Sequence, residues 1–329
     1  MHSIDRRSCL GLLASLIASP GASWSTRSQE TKEAAEQAQT RFAGARLRTG
    51  GKELAGRPTF LPDAVELQIE GRRRSLALRK LKTLELELRT ASGSPVEEDA
   101  RLEELVPQLL RDPRDTASIE AWLELLRQGY SSATPLGPPL LGEVWICPDP
   151  TRHHAVHAAS AFALDYAVLD KKRRVHSGAG KTNEEYASWD APLIAVADGR
   201  VRRARDDQAD DETYKGVADP KRANDLVLDF EGGQAFYQHL KQGSLLVKPG
   251  QEVRRGDELA RVGNSGNASW PHLHFAVYES FGRGSLSVPI QTEEYVLSGL
   301  KSDVSSKPKR LDVPCRNVPL QEGWVVRFA

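Results

Sequence analysis

The chain has 329 residues, 39% hydrophobic and 27% charged, which supports a packed core and leaves room for two modest domains. Its 45 basic and 45 acidic residues give a formal net charge of zero, which argues against nucleic acid as a partner, because phosphate binding needs a basic excess or a basic face. No stretch is long and apolar enough for a transmembrane span in the mature chain. Residues 1–23 read as a signal peptide: Arg6 and Arg7 precede the apolar run from Cys9 to Ala18, and the small residues Gly21, Ala22 and Ser23 follow. The Arg6-Arg7 pair suits a twin-arginine signal as well as an ordinary one. Either implies export to the periplasm or cell envelope. An oxidising compartment permits a disulfide between Cys147 and Cys315; two separate buried thiols are the other reading.

Residues 24–63 are expected to be a polar leader or helix, since Glu, Gln, Ala, Lys and Arg dominate their first half and apolar anchors are few. Residues 64–135 form a small α/β region. Within it Val65 to Ile69 and Leu84 to Leu88 alternate apolar and polar residues with the period of a half-buried strand. Leu102, Leu105, Val106, Leu109 and Leu110 then make one helical stripe, and Ile119, Trp122, Leu123, Leu125 and Leu126 a second. The prolines and hydroxyl residues from Ser131 to Pro139 mark a linker.

Residues 141–300 are expected to be a mainly β domain, an antiparallel sheet with tight turns at Asp198-Gly199 and Gly232-Gly233. Two polar insertions, 170–189 and 205–223, interrupt it, and the acidic text from Asp206 to Asp211 reads as a solvated loop. Residues 301–329 are a C-terminal tail carrying a terminal strand around Trp324 to Val326.

Seven of the eight histidines lie between residues 153 and 274. The most informative stretch is Gly263 to Phe275, where a turn of Gly, Asn, Ser and Pro residues delivers His272-Leu273-His274. On a strand, residues two apart project from one face, so both imidazoles share a side. Asp165 stands in the apolar text Phe162-Ala163-Leu164-Asp165-Tyr166, and a charge so placed needs a partner. Two imidazoles and one carboxylate match a catalytic zinc site, which keeps its fourth position open.

These motifs, together with Pro192 to Val201, Tyr237-Gln238-His239-Leu240 and Lys248 to Asp257, resemble in order and spacing the lysostaphin-type (LytM) zinc endopeptidases, over roughly residues 141–295. The resemblance implies a LytM-like β catalytic domain related to duplicated-hybrid half-barrels, preceded by the small α/β region. It implies that Asp165 and His274 bind Zn2+, that His239 and His272 are the catalytic histidines, and that the first metal ligand is His154, with His157 as the alternative. Ala223-Asn224 stands where the family carries Gly-Asn. The implied activity is metal-assisted amide hydrolysis of peptidoglycan cross-link or stem peptides, with an envelope regulator as a further partner. The alternative is a LytM-like factor without catalysis that binds and activates a cell-wall amidase. Gly178-Ala179-Gly180-Lys181-Thr182 is no phosphate loop, because Val175 occupies the position of its first glycine.

Overall fold

The computed structural model describes residues 43–49, 52–60, 63–69, 72–88, 105, 107–127, 136–215, 219–281 and 284–329. The expected signal peptide, the first part of the expected leader, and Leu102 and Val106 of the first helical stripe lie outside the described residues. Five strands open the described chain: β1 (Ala43–Thr49), β2 (Lys52–Phe60), β3 (Ala64–Ile69), β4 (Arg72–Ala77) and β5 (Thr83–Leu88). The expected leader or helix at 24–63 is corrected by β1 and β2. Their backbone groups find partners in β5 and β3, a tertiary match that residue pattern alone does not reveal.

Residues 107–111 are helical, and α1 (Thr116–Arg127) follows. Asp115 caps α1: its Oδ2 accepts the Ser118 N–H at 3.2 Å and the Ser118 hydroxyl at 2.5 Å. Ile119, Trp122 and Leu123 are buried at helical spacing, as the sequence stripe requires. The Trp122 indole donates to the Ser287 carbonyl at 2.9 Å, and Pro113 accepts the Ala158 N–H at 2.8 Å. These bonds hold the helical segment against the polypeptide that carries His154.

The remaining strands are β6 (Gly142–Cys147), β7 (Leu164–Val168), β8 (Pro192–Ile194), β9 (Gly199–Arg205), β10 (Asp225–Phe230), β11 (Gly233–Gln238), β12 (Glu252–Val253), β13 (Glu258–Arg261), β14 (Leu273–Phe281), β15 (Gly284–Val288), β16 (Gln291–Leu300), β17 (Lys309–Pro319) and β18 (Trp324–Phe328). One large sheet runs β12-β9-β10-β11-β14-β7-β6-β18-β16-β17-β5-β1-β2-β3-β4, with β15 paired to β14, while β8 and β13 form a separate pair. Among the described strand pairs only β17 with β5 is parallel, beside one isolated parallel bridge between Leu136 and Thr292. The mainly β, antiparallel expectation holds.

At 301–329 the expected terminal strand is present as β18, and the rest of the supposed tail is corrected by β17. β17 lies inside the sheet between β16 and β5, and β18 pairs with both β16 and β6. Its interrupted apolar text conceals this, because β17 buries Val313, Cys315 and Val318 with exposed or half-buried polar residues and a proline between them. The linker reading fails from Leu136 onward: Leu136 and Leu140 are buried, and the Leu136 N–H donates to the Gln291 carbonyl at 3.0 Å. Cys147 and Cys315 are both free and buried, so the two-thiol reading is the one realised. Burial pushes the Cys315 thiol up to about 12.

Candidate metal centre

Alternation along two paired strands builds the centre. On β7, Tyr166 faces the core, where its ring lies edge-on to Phe275 at 5.8 Å. Asp165 therefore faces the other way. On β14, Leu273 and Phe275 are fully buried, which turns His272 and His274 to the side of Asp165. His274 and Asp165 are direct cross-strand partners, and His274 Nδ1 lies 3.0 Å from Asp165 Oδ1.

The third member comes from a 3-10 turn at His154–Val156. His154 Nε2 lies 3.5 Å from Asp165 Oδ1, and its ring is 4.9 Å from that of His274. His154, Asp165 and His274 offer ligand atoms all within 4.8 Å of one another. Both ring nitrogens of His154 are buried without a hydrogen-bond partner. An orphaned buried imidazole costs stability unless something satisfies it, and a nitrogen–nitrogen–carboxylate donor set suits zinc. The residues present fit a metal.

The alternative ligand, His157, lies outside that group. Its Nδ1 accepts the Ala159 N–H at 3.1 Å. Burial and the Arg114 charge, opposed by Asp112, push its pKa from 6.5 down to about 4. Between those values the unfolded chain binds more protons than the folded one, so this imidazole makes stability fall as pH drops from about 6.5 toward 4. The shift corresponds to about 3 kcal/mol. We expect His157→Gln to flatten the acid limb of urea-unfolding free energy between pH 6.5 and 4.5; an unchanged slope would show that this proton is not the one resisted.

Two further histidines stand beside the cluster. His239 Nδ1–H donates to the Ser265 carbonyl at 2.8 Å, and His272 Nδ1–H donates to the Trp270 carbonyl at 2.7 Å. A carbonyl can only accept, so each bond fixes a proton on Nδ1, and His272 Nε2 lies 3.7 Å from Asp165 Oδ1. The two rings are 4.9 Å apart, and His239 is 5.9 Å from His274. Burial, then the neighbouring His272 and His274, holds His239 well below the ordinary imidazole range. For Asp165, burial works upward, yet the charges of His154 and His272 prevail and hold the carboxyl well below the usual range.

Sequence reasoning missed Asp149. Its carboxylate accepts the His154 N–H at 3.0 Å, the Thr151 hydroxyl at 2.9 Å and His153 Nδ1–H at 2.7 Å. It thereby ties off the turn that presents His154, and Glu322 in turn accepts the Asp149 N–H at 3.0 Å. The signal available was an Asp between two prolines just before the histidines, a common turn-capping arrangement.

The acidic insertion is not a solvated loop. Asp210 accepts the N–H groups of Asn264 at 2.6 Å and Gln242 at 2.9 Å, and Asp206 accepts that of Leu245 at 2.8 Å. These carboxylates satisfy backbone donors, including one in the turn leading to His272. The two insertions also meet, since Thr213 Oγ1 donates to Asn183 Oδ1 at 3.0 Å. At the Ala223-Asn224 step, the Asn224 side chain donates to the Gln208 and Leu240 carbonyls at 2.8 and 3.1 Å. Tyr186 is buried and stacks on the half-buried Trp270 at 5.6 Å. In the glycine-rich loop at 178–182, the Lys181 N–H donates to Glu185 Oε2 at 2.8 Å, so the chain's own carboxylate takes the place an anion would need.

Residues 185–286, just under a third of the chain, match the model of Peptidase family M23. The match takes in His239, His272 and His274, while His154 and Asp165 lie just upstream of it. A Haemophilus influenzae protein named "Uncharacterized metalloprotease" is 31% identical over 125 residues, covering 37% of this chain and 22% of that protein. Vibrio cholerae peptidoglycan DD-endopeptidase ShyB is 34% identical over 88 residues, covering 26% and 17%. The chain thus spans about a fifth of the length of these relatives. Among solved structures, the catalytic domain of lysostaphin from Staphylococcus simulans is 18% identical with a TM-score of 0.26, covering 51% of this chain and 92% of that one. A zinc-containing peptidase from Vibrio cholerae is 17% identical with a TM-score of 0.27, covering 81% and 63%.

Proposed function

We propose that this protein is an exported zinc endopeptidase that hydrolyses amide bonds in peptidoglycan stem or cross-link peptides. The observation that carries the proposal is the buried group of His154, Asp165 and His274, with neither ring nitrogen of His154 in a hydrogen bond, beside two imidazoles each held at Nδ1 by a backbone carbonyl. The family match and the naming of one relative as a peptidoglycan endopeptidase support the substrate class. The basic and apolar start of the chain supports export.

His154, Asp165 and His274 would hold the metal. A zinc ion bound there supplies Lewis-acid polarisation of the scissile carbonyl and acidification of an attacking water. His239 is buried and neutral at pH 7, so its Nε2 accepts a proton rather than repelling one. The Ser265 carbonyl holds its ring in place while the proton arrives. His272, oriented by the Trp270 carbonyl, provides a second imidazole beside the centre. Amide hydrolysis needs one proton removed from water and one delivered to the leaving amine. Two oriented imidazoles beside one centre meet both needs.

The test is metal analysis of the mature protein, purified without chelator, beside His274→Ala, followed by incubation of each with purified peptidoglycan. We expect about one zinc per wild-type chain, less than a tenth of that in the variant, and new peptide termini released only by the wild type. A wild type that is metal-free and takes up no added zinc would sink the proposal and favour the amidase-activating alternative.

A further inference from the structure

The register of the large sheet extends the face of the metal centre well beyond the histidines. His274 pairs with Asp165 on one side and with Gln238 on the other. Gln238 pairs with Asp225, and Asp225 with Arg205. Directly paired residues project from the same face, so Asp165, His274, Gln238, Asp225 and Arg205 form one row across the sheet. A second row runs through Ala276, Phe236, Val227 and Arg203. Ring contacts agree: Phe236 lies 6.4 Å from His274, and the Arg203 guanidinium lies 5.9 Å from the Phe236 ring.

Both arginines bind one carboxylate. Arg203 Nε is 2.6 Å and Arg205 Nη2 3.0 Å from Asp225, whose side chain is 1% exposed, while the arginine side chains stay 35% and 33% exposed. Neutralising Asp225 needs one guanidinium; the second leaves a positive charge on the face. The next acid along β10, Asp229, has its own cation in Arg202 at 3.6 Å, so the excess stands. At a strand spacing of about 4.8 Å, Arg205 is three strands and about 14 Å from His274. An extended peptide advances about 3.3 Å per residue, which makes that distance about four residues.

We propose that Arg203 and Arg205 form a carboxylate-binding subsite on the active face, selecting peptides that carry a free carboxylate about four residues from the scissile bond. This rests on the endopeptidase reading. With Arg203 Nε given to Asp225, Arg205 Nη2 shared between Asp225 and the Ala223 carbonyl, and Arg203 Nη2 and Arg205 Nε buried, each arginine keeps Nη1 for a charge-assisted bond to a carboxylate, whereas a carboxamide lacks the charge.

The probes are a fluorescent cross-linked stem-peptide dimer with its carboxylates free and the same dimer amidated. Binding to the zinc-supplemented full chain is read by anisotropy, and intactness by mass spectrometry. We expect the wild type to bind the free acid about tenfold tighter, a preference that shrinks with added salt. Arg205→Gln and Arg203→Gln each lose most of that preference, and Arg205→Lys retains part of it. Equal affinity of the wild type for both dimers, no binding of either, or Gln variants that weaken both dimers by one factor would overturn the subsite. If Arg205→Gln does not fold, the wild-type comparison and Arg203→Gln decide. Failure of the endopeptidase reading shows separately, as probes that bind and stay intact.

Discussion

In His239→Ala the protein keeps its zinc while hydrolysis of a peptide substrate falls about 10²–10⁴-fold, the range for loss of a positioned general acid or base. The expectation rests on the separation of two histidine sets within one face. His154, Asp165 and His274 offer ligand atoms within 4.8 Å of one another, whereas His239 gives Nδ1 to the Ser265 carbonyl and lies outside that group. Its ring stands 5.9 Å from His274, near enough to serve the reacting atoms and outside the ligand group. His272→Ala should behave in the same way, because its ring is held by the Trp270 carbonyl. The check pairs metal content with turnover on one preparation. Loss of zinc in His239→Ala would make it a ligand or a support of one, and unchanged turnover would remove it from the chemistry.

That division was partly legible in the residue pattern. His272 and His274 are two apart beside Leu273 and Phe275, and Asp165 is flanked by apolar text, so alternation alone turns all three to one side. The choice between His154 and His157 was not legible by periodicity, because it depends on a 3-10 turn tied off by Asp149. The arginine row was hidden for a different reason. The pairing of β9 with β10 shifts register between Val227 and Leu228, so no count along Gly199 to Arg205 reveals which arginines share the face of His274. β1, β2 and β17 escaped because strand identity there is set by neighbours distant in sequence. The acidic insertion misled through composition: carboxylates that accept backbone N–H groups look the same in a sequence as carboxylates in water.

Gly266→Ala is expected to destabilise the fold by about 3 kcal/mol and to lower activity as well. The turn from Gly263 to Pro271 must deliver His272, and Gly266 sits in it at φ +79, a conformation that costs an L-residue about 1–2 kcal/mol. A Cβ there would also lie 2.6 Å from the Cα, Cβ and N of Ala223, and overpacking of that kind costs about 1–3 kcal/mol. Gly243→Ala separates the two contributions, since Gly243 has φ +67 but nothing within 4 Å of the added carbon; it should cost only the backbone part. Adding Ala223→Gly should not restore Gly266→Ala, because two of the three clashing atoms are backbone. The crowding also reaches the chemistry. Ser265 accepts the Asn224 N–H through its Oγ and holds His239 through its carbonyl, so a displaced Gly266 moves the group that orients His239. Urea unfolding of the three variants beside turnover of the folded fraction reads both effects. Equal cost for Gly266→Ala and Gly243→Ala would show that the contact with Ala223 is not the constraint, and full activity of folded Gly266→Ala would uncouple this turn from His239.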